Sequence, residues 1–194
     1  MKNLKVVGIG SSAGGLEALQ ILFSNLKESD NTAYIVAQHL SPTHKSMMVE
    51  LINRVSNISV HEAKNGLVLK ANTIYISPEN TDIYVNNGKI FLKSINHIFG
   101  PKPSVNYLLS SIAEEYKHNS IGIILSGTGS DGAYGIRAIK AEGGITICQS
   151  PSSAKYDGMP YAAINTGKVD LVIPINDLAS ELGKTLENLG KDLP

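Results

Sequence analysis

The sequence contains a single cysteine, Cys148, no tryptophan and no excess of charge of either sign. One cysteine excludes a disulfide framework within the chain, and its apolar neighbours predict a small buried residue of a strand rather than a reactive thiol. Lysine plus arginine and aspartate plus glutamate number 17 each, so the formal net charge is zero. Because affinity for phosphates depends on clustered cationic side chains, this balance disfavours a nucleic-acid-binding role.

Long apolar runs are also missing. None approaches the roughly 20 residues of a membrane span or the apolar core of a signal peptide, so we predict a cytoplasmic protein without membrane insertion. No group of histidines and carboxylates has metal-ligand spacing, and a metal site is not expected. The 194 residues suit one domain over 1–194, which is long enough to bury a core without disulfides or metal.

Short apolar runs alternate with helical patterns along most of the chain. This alternation predicts an α/β fold, a doubly wound and mainly parallel sheet flanked by helices in a Rossmann-like three-layer arrangement. The middle of the chain departs from the rhythm, and Asn87-Gly88 there is a strong signal for an antiparallel β-hairpin. Strands are predicted near 5–9, 34–38, 59–62, 73–76, 82–85, 89–92, 120–125, 145–149 and 171–173, and helices near 15–25, 45–55, 104–117, 133–141 and 176–189.

A glycine-rich segment, Gly10-Ser11-Ser12-Ala13-Gly14-Gly15, follows the first apolar strand and precedes the first helix. A turn at this junction lifts a serine to the carboxyl end of a buried strand, and the free amides of the following helix point toward it. The segment therefore suits a nucleophile or an anion-binding site. On these residues alone, either Ser11 or Ser12 can be the serine concerned.

Two further strand ends carry complementary groups. His39 follows the second predicted strand, and Asp131 lies in the glycine-rich segment after the strand near 120–125. Parallel sheets place their sites at the carboxyl ends of the strands, so a serine, an imidazole and a carboxylate converge on one edge. An imidazole can take the proton of a serine hydroxyl while a carboxylate fixes its tautomer, and acyl transfer is the reaction that this set suits.

The same edge offers groups that can bind the substrate. Backbone amides at the start of the first helix, at Ala13 and Gly14, or in the turn around Thr128 and Gly129 can stabilise an oxyanion. A loop after the strand near 145–149 leads to the same edge, and we predict that two of its side chains line a substrate groove. These are Tyr156 and Met159.

Simpler interpretations compete with a catalytic one. Ser12 can be the N-cap of the first helix, and Asp131 the cap of the helix near 133–141. The segment from Gly8 to Ala13 also matches the dinucleotide fingerprint G-x-G-x-x-G/A. That fingerprint requires an acidic residue closing the second strand, and the strand instead ends in Gln38-His39.

Taken together, these motifs resemble the catalytic domain of the chemotaxis protein-glutamate methylesterases, the CheB type, from about Val6 to about Leu182. Within that type, the chain is most similar to the methylesterase modules fused to a receptor methyltransferase. Five motifs carry the resemblance in order along the chain: Gly10 to Gly15, Gln38-His39, Pro103-Ser104-Val105, Leu125 to Gly132 and Asp157-Gly158-Met159-Pro160.

The resemblance implies a role for each residue of the set. It selects Ser12 rather than Ser11 as the nucleophile, His39 as the base and Asp131 as the orienting acid. The implied reaction is hydrolysis of glutamate 5-methyl esters on the helical signalling region of methylated chemoreceptors, and related enzymes also deamidate receptor glutamines. No dissociable cofactor is implied. A receptor methyltransferase module is a further implied partner.

The chain departs from the family pattern in places. Well-known members carry an N-terminal receiver domain, whereas the first catalytic strand here begins at Lys5, so no receiver domain is predicted. Position 13 is Ala where many members have Thr, and position 128 is Thr where many have Met. A non-catalytic receptor-binding module of the same fold is the main alternative, and a nucleotide-binding protein is the other. The intact serine, histidine and aspartate set favours catalysis.

Overall fold

The apolar runs form a seven-stranded sheet whose strands are all parallel, in the order β10-β9-β8-β1-β2-β5-β3. These positions come from a computed structural model, which describes residues 4–39, 47–94 and 102–189. The strands are β1 Lys5–Ser11, β2 Thr32–Gln38, β3 Ser59–Glu62, β4 Leu67–Val68, β5 Thr73–Ile76, β6 Thr81–Asn86, β7 Lys89–Ser94, β8 Ser120–Ile124, β9 Ile145–Gln149 and β10 Leu171–Ile173.

Helices cover both faces of this sheet. They are α1 Gly15–Asn25, α2 Met48–Asn53, α3 Val105–Tyr116, α4 Ala133–Ala141, α5 Gly158–Ile164 and α6 Ile175–Asn188. One core cluster contains buried residues of α1, α2 and α6, and the other contains those of α3, α4 and α5. Every residue of β1 and β2 is buried, because helices cover both sides of these strands. Their sequences accordingly lack the alternation of apolar and polar residues that is typical of a half-exposed strand. The predicted doubly wound, three-layer α/β fold is confirmed.

A small antiparallel sheet, in the order β4-β7-β6, lies beside the parallel one. Its hairpin turns at Asn87 and Gly88, both with positive φ, as a two-residue turn of this kind requires, so the predicted hairpin is confirmed. The strand pattern at 73–76 belongs to the parallel sheet as β5, and β4 is too short for a pattern to reveal it. The predicted helix near 45–55 is observed as α2, and residues 40–46 lie outside the described part of the chain.

The first strand is longer than predicted. It runs through Gly10 and Ser11, so the turn begins at Ser12. A Cβ at Gly10 would lie 2.2 Å from Cγ1 of Val105, and one at Gly8 would lie 2.6 Å from Cδ2 of Leu109. These two glycines therefore allow α3 to pack directly against β1. Helix packing accounts for the spacing that mimics a dinucleotide fingerprint.

Alanine substitutions at two glycines are expected to shift stability in opposite directions. Gly10→Ala forces a methyl group into Val105 and should lower the free energy of unfolding by about 1–3 kcal/mol. Gly183→Ala lies inside α6, where an added Cβ has no neighbour within 4 Å, and should raise it by about 0.5–1 kcal/mol. Denaturant unfolding measures both values, and a neutral Gly10→Ala would contradict the packing of α3 on β1.

Two features outside the site complete the fold. Cys148 is buried in β9, and burial raises the pKa of its thiol to about 12, which confirms the prediction of an unreactive core residue. Of the helices in the described ranges, none has the length and apolar character needed to cross a membrane.

Candidate active site

The three central strands, β8, β1 and β2, bring the predicted residues to one edge of the sheet. Ser12 follows β1, and its N–H donates to the Ser126 carbonyl after β8 at 3.0 Å. On the other side, the N–H of His39 after β2 donates to the Ser11 carbonyl at 3.0 Å. Backbone hydrogen bonds thus hold the serine turn between the loop that carries Asp131 and the strand end that carries His39.

The two adjacent serines have different environments. Ser11 is fully buried and its hydroxyl donates to the side chain of Gln38. Ser12 is partly exposed and lines a cavity of about 270 Å³, whose wall also includes Leu16, Met48 and Leu51. Within the described ranges, no hydrogen bond engages the Ser12 hydroxyl. Of the two serines, Ser12 is the one open to a substrate.

Gly14 shapes the turn that presents Ser12. Its φ of 73° lies in the left-handed region, which side chains disfavour. A Cβ there would also lie 2.8 Å from the hydroxyl oxygen of Ser126. Gly14 is the N-cap of α1 and no side chain caps this helix, so the interpretation of Ser12 as a helix cap is wrong.

His39 and Asp131 form a hydrogen-bonded pair. His39 Nε2 lies 2.9 Å from Asp131 Oδ2, and the two side chains are 9% and 8% exposed. A carboxylate can only accept, so Nε2 carries the hydrogen and Nδ1 has the free lone pair. The imidazole is therefore held in the tautomer whose Nδ1 can take a proton.

Asp131 also closes the start of α3. It accepts the backbone N–H of Val105 at 2.8 Å and of Asn106 at 3.0 Å. Burial alone raises the pKa of the Asp131 carboxyl, but hydrogen bonds from His39 and from the N–H groups of Asn106 and Val105 outweigh it, and the pKa lies below its usual range. The N-cap of α4 is Gly132, so the predicted cap role of Asp131 in α4 is wrong.

The start of α3 is itself held from two sides. The side-chain oxygen of Asn106 accepts the N–H groups of Gly132 and Gly135, both at 2.9 Å, so α3 and α4 bind each other's first turns. Asp82 of the small antiparallel sheet accepts the N–H of Ser104 at 2.7 Å. Sequence reasoning missed Asn106 and Asp82, since their partners lie in distant segments. The small sheet thus supports the helix that aligns Asp131.

The acid–base behaviour of Asp131 is expected to appear in protein stability. Because its folded pKa lies below the unfolded value of about 4, the unfolded chain binds more protons in acid. The stabilisation should be complete above about pH 5 and be lost as the pH falls from about 4 through the lower pKa of the folded state. We expect the difference in unfolding free energy between the wild type and Asp131→Asn to shrink over that range. A difference that does not change with pH would contradict the role of the charge.

The predicted oxyanion donors are available. The backbone N–H groups of Ala13, Gly14, Thr128 and Gly129 donate to no acceptor in the described part of the chain. Ala13 and Gly14 directly follow the serine, and Thr128 and Gly129 lie in the loop from β8 that also carries Ser126. Unpartnered donors are therefore present both in the serine turn and in the loop after β8.

Of the two side chains predicted to line a groove, Tyr156 lies in the loop before α5 and Met159 lies in α5 itself, and the two differ in exposure. Tyr156 is 43% exposed, whereas Met159 is 1% exposed and belongs to the core cluster beneath α3, α4 and α5. A Cβ at Gly127 would lie 2.3 Å from Met159 Sδ and 2.8 Å from Ser12 Cβ. Met159 thus packs under the loop next to Ser12 rather than lining an open groove.

Ser126 joins three segments of the site and was not predicted. Its buried hydroxyl donates to the Ala13 carbonyl at 2.8 Å and accepts the N–H of Tyr156 at 3.0 Å. Its own N–H donates to the side chain of Gln149 at 2.8 Å. The glycine-rich motif around Ser126 could have indicated that this loop belongs to the site, but the hydrogen-bond partners of Ser126 follow only from the packing.

Across residues 4–39, 47–94 and 102–189, no three His, Cys, Asp or Glu side chains form a group that could hold a metal ion.

Comparison with known proteins identifies the family of this chain. The family model described as CheB methylesterase matches residues 7–182. The chain belongs to the CheB methylesterase family. The resemblance found in its motifs is thereby confirmed.

Similarity to individual members of the CheB methylesterase family extends over most of the chain. The crystal structure of the Thermotoga maritima CheB methylesterase catalytic domain is 31% identical, with a TM-score of 0.87, and covers 94% of this chain and 98% of that one. A protein-glutamate methylesterase/protein-glutamine glutaminase of Clostridium acetobutylicum is 34% identical over 188 residues. A putative one of Leptospira interrogans is 30% identical over 178 residues.

The relatives differ in how much of their length is matched. The match covers 96% of this chain but 54% of the Clostridium protein, and 91% of this chain but 50% of a Rhizobium meliloti protein-glutamate methylesterase/protein-glutamine glutaminase that is 33% identical. The match to the Leptospira protein covers 91% of this chain and 92% of that protein. The chain thus spans about half the length of the first two curated relatives.

Proposed function

We propose that this protein hydrolyses glutamate 5-methyl esters on chemoreceptors to glutamate and methanol. The observation that carries the proposal is the His39–Asp131 pair beside an accessible Ser12, on three neighbouring strand ends. Membership of the CheB methylesterase family and the names of the relatives support it. Ser12 is the nucleophile, His39 the general base and Asp131 the residue that orients the imidazole.

The geometry suggests the order of bond changes. Ser12 Oγ attacks the ester carbonyl carbon while Nδ1 of His39 takes the hydroxyl proton, and Asp131 stabilises the imidazolium through Nε2. The bond to the methoxy oxygen then breaks, and His39 returns the proton to the departing methanol. Water attacks the acyl-enzyme by the same route, which releases glutamate and restores Ser12.

The negative charge of the tetrahedral intermediate needs donors that are not already used. The N–H groups of Ala13 and Gly14 in the serine turn, and of Thr128 and Gly129 in the loop after β8, donate to no acceptor among the described residues. Amides that lack a partner in the resting site can bind the oxyanion without first breaking another bond. Tyr156, exposed beside this turn, is proposed to contact the receptor helix.

The names of the relatives also support a second reaction. Hydrolysis of receptor glutamine amides to glutamate and ammonia uses the same acyl-enzyme, with ammonia in place of methanol. The partner is then the helical signalling region of a methylated chemoreceptor in the cytoplasm, and a receptor methyltransferase module is a further proposed partner.

Methanol release from methylated receptor tests the proposal. The purified protein is incubated with membranes carrying the methylated receptor, and methanol is measured by gas chromatography, with unmethylated receptor as the blank. We expect release in proportion to the methyl groups lost. Binding of the receptor without any release would instead support a regulatory module of the same fold.

A further inference from the structure

Gln38 lies at the centre of the site but has no part in the bond changes. It is the last residue of β2, directly before His39, and is 7% exposed. Its Oε1 accepts the hydroxyl of Ser11, and its Nε2 donates to the carbonyl of Ser12 at 2.7 Å and to that of His39 at 3.1 Å. One side chain therefore holds the backbone of both the nucleophile and the base.

The pattern of donors and acceptors requires an amide. The carbonyls of Ser12 and His39 both accept from Nε2, which has two hydrogens to give, while Oε1 accepts the Ser11 hydroxyl. A reversed amide would place its oxygen against two carbonyl oxygens. A glutamate at this position has no hydrogen for either carbonyl when ionised and would bury a charge.

The second glycine of the serine turn makes room for this amide. A Cβ at Gly15 would lie 2.2 Å from Oε1 of Gln38 and 2.7 Å from Cβ of Ser11. No side chain could occupy that position without displacing the amide. The two adjacent glycines thus have separate functions, since Gly14 adopts the positive φ and Gly15 admits Gln38.

The link matters because the sheet ends just before the reacting residues. The pairing of β1 with β2 stops at Ser11 and Gln38, and among the described residues the last backbone hydrogen bond between the two segments runs from the His39 N–H to the Ser11 carbonyl. No hydrogen bond in the described residues joins the side chains of Ser12 and His39. The distance between them is therefore set by their backbones, which Gln38 ties together.

We propose that Gln38 is a positioning residue that fixes Ser12 and His39 at the separation needed for proton transfer. The proposal rests on the proposed function, because it assigns Gln38 a role in the same reaction. A misplacement of about 1 Å in a reacting group can cost on the order of 100-fold in rate. Loss of the amide should therefore reduce kcat rather than substrate affinity.

A matched pair of variants separates positioning from stability. Gln38→Met keeps a similar shape without hydrogen bonds. Thr146, near the start of β9, is likewise buried and makes a comparable set of bonds, since its hydroxyl donates to the Lys168 carbonyl at 2.6 Å and accepts the Asp170 N–H at 3.0 Å. None of these partners belongs to the site, so Thr146→Val, which also keeps the shape and removes the hydrogen bonds, is the control.

Both variants should lose similar amounts of thermal stability, but their kinetics should differ. For receptor demethylation we expect Gln38→Met to lower kcat by about 100-fold with KM within about twofold, and Thr146→Val to lower kcat by no more than about threefold. Equal losses of kcat in the two variants, or a kcat of Gln38→Met within twofold of the wild type, would overturn the proposal.

Labelling of Ser12 by a fluorophosphonate provides a second readout that needs no receptor. If the wild type releases no methanol, the proposed function fails, and the rate of labelling still tests Gln38. We expect about tenfold slower labelling in Gln38→Met than in Thr146→Val, and equal rates would overturn the proposal. If Gln38→Met does not fold, Ser11→Ala is the second variant, because it removes the hydroxyl that the Gln38 amide accepts. We expect Ser11→Ala to slow labelling by about threefold to tenfold, and an unchanged labelling rate would contradict the positioning role of Gln38.

Discussion

Ser12→Ala is expected to lower methanol release from methylated receptor by at least about 10⁴-fold, the largest effect of any single substitution in this site. The hydroxyl is the only group on the turn that is both exposed and able to form an acyl-enzyme. Its removal leaves the backbone turn intact, since no described hydrogen bond depends on the Ser12 hydroxyl. Binding of the receptor and the melting temperature should therefore change little.

Ser11→Ala is the matched control for this experiment. It removes the same atom from the neighbouring residue, but the Ser11 hydroxyl is buried against Gln38. We expect a loss of activity of no more than about tenfold, because the Gln38 side-chain amide loses one of its hydrogen bonds and holds Ser12 and His39 less firmly. Equal activity of the wild type and Ser12→Ala would exclude Ser12 as the nucleophile, and a larger loss in Ser11→Ala would reverse the assignment.

The second large effect is expected for Asp131→Asn, which should lower kcat by about 10³- to 10⁴-fold. Each oxygen of Asp131 accepts two hydrogen bonds, Oδ2 from His39 and Val105 and Oδ1 from Asn106 and Gly132. An asparagine has one oxygen, so in either orientation its NH₂ group faces two donors. The variant must therefore lose either the hydrogen bond that fixes the His39 tautomer or the hydrogen bond from Asn106 at the start of α3.

The same change should also destabilise the protein, by about 1–3 kcal/mol for buried donors left without an acceptor. Asp170→Asn is a suitable control, because Asp170 is another carboxylate with a lowered pKa, bound to Thr146 and Lys140. Thr146 lies near the start of β9, and this cluster touches none of the site residues. We expect it to lose stability but keep kcat, and comparable kcat losses in both variants would contradict the role of Asp131.

The residues that local patterns can reveal were found from the sequence. Ser12, His39 and Asp131 each follow an apolar strand, and in a parallel sheet such positions meet at one edge whatever the detailed strand order. The amphipathic patterns of the longer helices and the Asn87-Gly88 turn are equally local. The fold class and the location of the site therefore followed from short-range signals.

The remaining features depend on packing between distant segments. Asp131 binds the start of α3, which lies 26 residues earlier at Val105, and nothing in either segment marks the other as its partner. Met159 belongs to a helix of seven residues, too short for a periodicity that would have shown its burial. The end of β1 was misplaced because Gly10 resembles a turn residue, although its role is to admit Val105.

The bonds from Val105 and Asn106 to Asp131 make two backbone amides reporters on the carboxylate that is hydrogen-bonded to His39. Their protons are attached to the helix but point at the carboxylate that orients His39, so their chemical shifts and exchange rates follow its charge. The protonation of this pair can thus be followed by NMR in the protein alone, one residue at a time. The candidate site can be titrated without a receptor, a methyl ester or turnover.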